Sequence, residues 1–188
     1  MPSTIGHALA GVTVVWAADA LAPDPTLGQE RGSALTVAAA AIASAPDLDL
    51  IFGVHRTVTH SIGATILVAA VAAAVAAIGR APVLRIATIC AAAHASHLFL
   101  DWLSVDRFPP YGLQALWPFS HEWFISGKDW FRQTDHTHAL TRQGMRTNLL
   151  AVGQEIAILG PIAWGVWLVR VKALARLPSE VPSSDHAA

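Results

Sequence analysis

Charged residues are scarce in this sequence of 188 residues. Only 13% are Asp, Glu, Lys or Arg, whereas 54% are hydrophobic and the mean hydropathy is +0.48. An average soluble domain carries about 25% charged residues. Neither sign dominates, because the formal net charge is −1. This balance argues against the broad basic surface of a nucleic-acid-binding protein, so we expect membrane lipids, and not nucleic acid, as partners.

Cysteine is also nearly absent. The single Cys90 lies in an apolar stretch, which excludes an internal disulfide and a zinc site built from cysteines. The motifs of serine hydrolases, helical zinc proteases and phosphate-binding loops are missing as well. The N-terminus lacks the basic region of a cleaved signal peptide, so we expect the first apolar segment to be retained.

Five apolar segments predict an all-α fold, a multi-pass transmembrane bundle of about four to five helices. They cover residues 5–21, 34–45, 62–79, 83–103 and 149–169. A membrane-spanning helix needs about 20 apolar residues, within a range of about 17–25. The last three segments meet this requirement and the first lies near its lower limit. The second segment is short, so it either spans with help from its flanks or forms a buried or partly re-entrant helix.

The connections differ greatly in length. Residues 22–33 contain prolines and glycines and predict a loop. Residues 104–148 are rich in Trp and Phe, which favours a long loop at the membrane interface. We expect one membrane-embedded domain over residues 1–170 and a C-terminal tail, residues 171–188, that is first basic and then disordered from Leu177.

Alternating crossings bring the starts of the first, third and fifth segments to the same side as the ends of the second and fourth. That side receives His7, residues 46–61, His97, Asp101 and the aromatic loop. The other side receives the basic residues of the short turn and the tail, namely Arg80, Arg85, Arg170, Lys172 and Arg176. Short basic connections are typical of the cytoplasm, so we expect the His/Asp end to face outward from the cell (inner) membrane.

Ionisable side chains near membrane segments cost roughly 2.5–3.5 kcal/mol each and usually indicate function. Asp47 and Asp49 follow Pro46, which disfavours helix in the residue before it and so predicts a short loop at the membrane face. His55 and His60 come next, just before the third segment. Two aspartates followed by two histidines favour a metal site over a solvated turn.

The fourth segment carries His94, His97 and Asp101 on one helical face. The four-residue spacing of His97 and Asp101 lets imidazole and carboxylate reach one ion, and the alternative is a buried hydrogen bond that only joins helices. Glu155, the acid of the fifth segment, is a candidate ligand or a partner of a ligand. His7 is either part of the same cluster or a plain interfacial histidine.

Five motifs occur in an order that resembles a known family. They are Thr4-Ile5-Gly6-His7, Pro46-Asp47-Leu48-Asp49, His55-Arg56-x-x-Thr59-His60-Ser61, His97-Leu98-Phe99-Leu100-Asp101 and residues 111–120. The set, over roughly residues 4–161, resembles the bacterial and archaeal membrane-bound predicted metal-dependent hydrolases, which include LexA-regulated inner-membrane members. The resemblance implies a metal-dependent hydrolase in the inner membrane.

The His-x-x-x-Asp pair is also similar to that of zinc-dependent phospholipase C, a helical enzyme with a multi-metal site. This similarity implies a divalent metal, with zinc as the expected ion. The implied ligands are Asp47 or Asp49, His60, His97 and Asp101, with His7 on a second metal. The sequence departs from the pattern at Glu155, because Ala151 stands where a histidine would complete a His-x-x-x-Glu pair.

We therefore expect an enzyme that hydrolyses a phosphoester of a lipid or lipid-linked substrate at the membrane face. The candidate metal ligands are His7, Asp49, His55, His60, His97, Asp101 and Glu155. Asp47 or Asp49 would accept a proton from the attacking water, and Arg56 would hold the phosphate. Two alternatives remain, a metal transporter or sensor and a non-catalytic protein whose His/Asp cluster only fastens its helices.

Overall fold

Residues 1–24, 28–53, 55–107 and 109–177 are described by a computed structural model of the chain. Within these ranges the chain forms five α-helices and two 3-10 helices, and its β pairing is limited to isolated bridges. The α-helices are α1 (Thr4–Leu21), α2 (Gly28–Ser44), α3 (Ile62–Ile78), α4 (Val83–Leu103) and α5 (Arg142–Leu174). The predicted all-α bundle is confirmed.

Four stretches are long and apolar enough to cross a membrane. They are Thr4–Leu21, Glu30–Phe52, Val83–Leu103 and Arg142–Leu174. The helix α3 has 17 residues, which is at the short end of the spanning range of about 17–25. Large apolar side chains such as Ile66, Leu67 and Val75 point away from the protein interior, as they do in helices that face lipid. The chain is a multi-pass membrane protein.

The helices α1 and α4 form the centre of the bundle. α1 packs against α2, α4 and α5, and α4 also packs against α2 and α3. The approach of α1 to α2 is close, because a Cβ atom at Gly11 would lie 2.4 Å from the carbonyl oxygen of Ala39. The buried core between these helices consists of Val15, Leu35, Ala39, Ala43, Ile89, Cys90 and Ala93. Small residues of the second segment thus permit close helix packing.

The second segment is longer than its apolar stretch. Residues 28–33, predicted as loop, belong to α2, where Glu30 in the first turn interacts favourably with the helix dipole. After Ser44 the chain continues into the 3-10 helix Ala45–Phe52, with Pro46 in its first turn. Proline is tolerated there because its missing N–H needs no partner. The prediction of a loop at Pro46 is therefore wrong, and the second segment is long enough to span.

The helices α1, α3 and α5 begin at similar hydroxyl caps. Ser3, Ser61 and Thr141 accept hydrogen bonds from the backbone N–H groups of Gly6, Ala64 and Gly144, respectively. Such caps satisfy one of the four N–H groups that a helix start leaves unpaired. The three caps define helix starts at the end of the bundle that carries the site.

The connection between α4 and α5 covers the start of α3. The Ile62 N–H donates to the Ala115 carbonyl over 2.8 Å, and the Gly63 N–H donates to the Trp117 carbonyl over 3.0 Å. Phe119 is exposed whereas Phe131 is buried. The interfacial position of this loop stays a prediction.

The helix α5 extends beyond the apolar segment 149–169 at both ends, because hydropathy marks only the part of a helix that lies in lipid. It runs from Arg142 to Leu174, so residues 171–174, predicted as tail, are helical. The tail is predicted to be disordered from Leu177. Leu177 is the last described residue, and residues 178–188 lie outside the described residues.

Candidate metal centre

Four chain segments bring imidazole and carboxylate groups together at one end of the bundle. His7 lies near the start of α1, and His97 and Asp101 lie near the end of α4. Asp47 comes from the 3-10 helix after α2, and His60 from the short 3-10 helix Val58–His60 before α3. All three histidines are 0% exposed and Asp101 is 4% exposed. The cluster is therefore withdrawn from solvent.

Asp101 stands among the three histidines. Its Oδ1 atom lies 3.4 Å from His7 Nε2, and its Oδ2 atom lies 3.4 Å from Nε2 of both His60 and His97. The Asp47 carboxylate lies 3.7 Å from His97 Nε2, 3.8 Å from His60 Nε2 and 3.9 Å from His7 Nε2. These separations exceed the roughly 2.7–3.2 Å of an N–H···O hydrogen bond.

The atoms at the centre of this cluster lack hydrogen-bond partners. Among the described residues, no partner is found for Nε2 of His7, His60 and His97, for Asp47 Oδ1, or for either Asp101 oxygen. A buried polar atom left unpaired costs about 1–3 kcal/mol, so several at one point require an explanation. A cation provides one, since metal–ligand bonds of about 2.0–2.2 Å place neighbouring ligand atoms roughly 3–3.5 Å apart.

The ligand atoms form two overlapping groups, which we call the convergent groups. His7, Asp47, His97 and Asp101 each offer an atom within 4.8 Å of the others, and so do Asp47, His55 and His60. Asp47 belongs to both groups, and His7 lies in the same group as His97. Imidazole nitrogen with carboxylate oxygen is a donor set that suits zinc and other first-row divalent metals. The residues present therefore fit a divalent metal.

Two histidines are oriented by hydrogen bonds on their outer nitrogens. His97 Nδ1 lies 2.7 Å from the carbonyl oxygen of Ala43, which assigns the proton to Nδ1. His60 Nδ1 lies 3.0 Å from the Thr59 hydroxyl oxygen and 3.1 Å from Asp49 Oδ2. In both cases the Nε2 lone pair is directed into the cluster, an arrangement typical of histidines that bind metals.

Asp49 lies beside the cluster and binds the segment that carries His60. Its oxygens contact His55 Nδ1 at 2.6 Å, accept from the Arg56 N–H at 3.2 Å and accept from the Thr59 hydroxyl. Asp49 is absent from both convergent groups, whereas His55 is present in the second. The structure thus separates the two aspartates of the motif, with Asp47 directed at the cluster and Asp49 at its supporting segment.

The acids around His60 change its protonation. Burial by itself lowers the pKa of His60, but the nearby carboxylates of Asp47, Asp49 and Asp101 outweigh burial and raise the pKa to about 9. Without a cation, His60 is therefore protonated at neutral pH. A metal at the cluster would take the place of this proton.

Two predicted residues have partners away from the cluster. The guanidinium of Arg56 is buried and paired with Asp106, and its Nε donates to Met1 Sδ over 3.1 Å. His94 lies one turn before His97, but its Nδ1 is 2.8 Å from the Thr65 hydroxyl on α3. His94 therefore joins α4 to α3.

Glu155 contacts the start of α1. Its carboxylate accepts from the Ser3 N–H at 2.7 Å and from the Ser3 hydroxyl. Gly6 permits this approach, since a Cβ atom there would lie 2.5 Å from Glu155 Oε2. Glu155 is outside both convergent groups and supports the helix turn that carries His7.

Two acids that the sequence reasoning missed have structural partners. Asp106, the partner of Arg56, lies in the long loop, where no pattern distinguishes it. Asp19 lies at the opposite end of the bundle, 2.7 Å from Arg85 Nη2 and 2.8 Å from Arg170 Nε. It was detectable, because an acid inside an apolar segment is costly without a partner.

The fold and the cluster define a class, a multi-pass helical membrane protein with buried histidine and aspartate side chains at one end. Residues 1–169 match the family described as YdjM inner membrane protein, and the chain belongs to this family. The predicted inner-membrane localisation is confirmed, and the orientation stays a prediction. Comparisons with curated proteins and with solved structures gave no match.

Proposed function

We propose that the protein is an integral-membrane metal-dependent hydrolase that cleaves phosphoesters at the membrane face. One observation carries this proposal. The Nε2 atoms of His7, His60 and His97 converge on the carboxylates of Asp47 and Asp101 without hydrogen-bond partners among the described residues. Such a constellation is costly unless a cation occupies it.

The four-residue group holds the metal in this proposal, and zinc is the expected ion. His7, His97, Asp47 and Asp101 supply its atoms, with His60 adjacent to both carboxylates. A bound divalent metal supplies Lewis-acid polarisation of an ester and lowers the pKa of bound water. The helices α1 and α4 hold three of these residues on rigid backbone, which is the arrangement that precise sites require.

Asp47 is the proton acceptor in this proposal. Its side chain is 13% exposed, and its buried Oδ1 atom faces the cluster without a hydrogen-bond partner among the described residues, which leaves the second oxygen to accept a proton from an incoming water. Asp49 is less suited, because several donors already occupy its oxygens. In this proposal Asp49 orients the ring of His60. Arg56 is paired with Asp106, so in this proposal it stabilises the loop and does not bind the substrate phosphate.

The alternatives explain the geometry less well. A cluster that only fastens helices is expected to satisfy its carboxylates, as Arg85 and Arg170 satisfy both oxygens of Asp19 at the opposite end. A transporter needs a polar route across the membrane. Beyond the cluster, however, the described core between α1, α2 and α4 is formed by apolar side chains, such as Val15, Ala39 and Ile89.

The test is metal analysis of detergent-purified protein, followed by a panel of phosphodiester and phosphomonoester substrates. Alanine at His60, His97 or Asp101 should abolish both stoichiometric metal and turnover. The matched control is His94→Gln, which changes a buried histidine of the same helix that contacts Thr65 instead of the cluster. This variant should retain metal and turnover. Full metal content in all three cluster variants would overturn the site. Metal without any ester cleavage would overturn the hydrolase.

A further inference from the structure

A groove leads along the bundle to Asp47. Its volume is about 680 Å³, and it lies between α5 and α2 with its 3-10 continuation, next to the start of α1. This volume is within the range of about 300–1,000 Å³ that small-molecule sites occupy. The groove thus joins a residue of the proposed metal centre to the outer surface of membrane-spanning helices.

The lining changes in polarity along the groove. Ala41 and Ile42 precede Asp47 by more than one helical turn, and Val152 follows Asn148 by one turn on α5. These apolar residues lie on the side of the membrane interior, whereas Asp47 and Asn148 lie towards the helix ends. The polar lining residues are Ser3, Thr4, Ser44, Asp47, Thr134, Asp135, His136 and Asn148.

His136 marks the polar end near the metal centre. Its ring lies 6.4 Å from that of His55, which in turn shares a convergent group with Asp47. Burial, together with the neighbouring His55 and Arg56 side chains, lowers the pKa of His136, so this ring is neutral at neutral pH. A neutral ring beside the groove can donate or accept a hydrogen bond without repelling a cation.

A polar cleft adjoins this end. It has a volume of about 730 Å³ and shares Thr134, Asp135 and His136 with the groove. Exposed Arg107 and Arg132 line it, and so do the acids Asp129 and Asp135. Side chains of both charges suit a polar headgroup that carries both donors and acceptors.

We propose that the groove binds an acyl chain of a phospholipid, with the lipid phosphate at the metal centre and the headgroup in the adjoining cleft. This inference rests on the proposed function and names its substrate class. Phospholipid is the molecule that surrounds these helices, and the order of apolar wall, Asp47 carboxylate and polar cleft follows the order of acyl chain, phosphate and headgroup. Lipid tails already lie in an apolar phase, so the groove selects by shape and not by hydrophobic transfer.

The experiment is photolabelling in phosphatidylglycerol vesicles that contain a trace of phosphatidylglycerol with a diazirine in one acyl chain. Labelled peptides are quantified by mass spectrometry. The variants Ala41→Trp and Val152→Trp fill the groove from its two walls. The matched controls Ala38→Trp and Ile156→Trp change exposed positions of the same helices that do not line the groove. Melting in detergent checks that each variant folds.

We expect labelling of peptides that carry Ala41–Leu50 or Asn148–Val152 to exceed that of other lipid-facing peptides, and to fall about tenfold in both groove variants. The two controls should label like the unchanged protein. Labelling spread evenly over α2 and α5 and insensitive to the groove variants would mean surrounding lipid only and would overturn the inference. Crosslinks to a second copy of the chain at these peptides would overturn it too. Groove-specific labelling without any turnover would refute the hydrolase and leave the lipid site standing.

Discussion

His60 Nδ1 lies 3.1 Å from Asp49 Oδ2, on the ring edge opposite the nitrogen that enters the cluster. This contact divides the Pro46-Asp47-Leu48-Asp49 motif into two tasks. Asp47 contributes an oxygen to the convergent group, whereas Asp49 orients a histidine that adjoins it. Carboxylates that orient metal-binding histidines raise the basicity of the ring and fix its tautomer.

Asp49→Asn should weaken metal binding by about 10–100-fold without abolishing it, because substitutions of residues that orient a metal ligand typically have this effect. Asp47→Asn removes a charged oxygen from the cluster itself and should cost more. Competition with a chromophoric chelator measures both affinities. Equal affinity of Asp49→Asn and the unchanged protein would show that the His60 contact has no role in metal binding.

Metal affinity should rise with pH up to about 9. Burial lowers the pKa of His60, but the nearby carboxylates of Asp47, Asp49 and Asp101 raise it to about 9. A metal must displace this one proton, so affinity should increase by up to about tenfold per pH unit below pH 9 and level off above it. Zinc titrations from pH 6 upward measure the slope, and His94→Gln is the control that should keep it.

The stability of metal-free protein should have the opposite dependence on pH. Because the folded-state pKa of His60 lies above its usual value of about 6.5, its contribution is complete below pH 6.5 and is lost as the pH rises to about 9. Melting of chelator-treated protein across this range should show a falling midpoint. A flat or rising midpoint would contradict the protonated histidine.

Gly6→Ala should destabilise the protein by about 1–3 kcal/mol and weaken metal binding. The added methyl group would lie 2.5 Å from Glu155 Oε2, next to the turn that carries His7. Gly153→Ala is the matched control, because nothing lies within 4 Å of a Cβ at that position of α5. The control should be neutral or slightly stabilising, and melting midpoints in detergent compare the two.

Asp19→Asn should destabilise the bundle by about 3–5 kcal/mol while leaving metal affinity unchanged. The substitution leaves Arg85 and Arg170 without their carboxylate at the end of the bundle opposite the cluster. Glu30→Gln, which removes an exposed acid from the first turn of α2, should have little effect on stability. If Asp19→Asn lost metal affinity at unchanged stability, the Asp19 ion pairs and the metal cluster would not be independent of each other.

Much of the fold was predictable because apolar length is a local property. A stretch such as Val83–Leu103 can satisfy its backbone in lipid only as a helix, so its type and bounds follow from composition. Alternating crossings then place His7, His60 and Asp101 at one end. The bounds of α2 and α5 were less accurate, since their ends lie outside the apolar segments and depend on caps and dipoles.

The sequence by itself determined the number of helices, the shared end of the bundle and the four-residue spacing that sets His97 above Asp101. Only the tertiary structure decided the roles within the motifs. Asp47 and Asp49 point in different directions because the chain after α2 winds as a 3-10 helix with three residues per turn. Glu155 meets Ser3 because α1 and α5 pack at one particular rotation. Helix rotation and winding depend on contacts between distant residues, which no local pattern records.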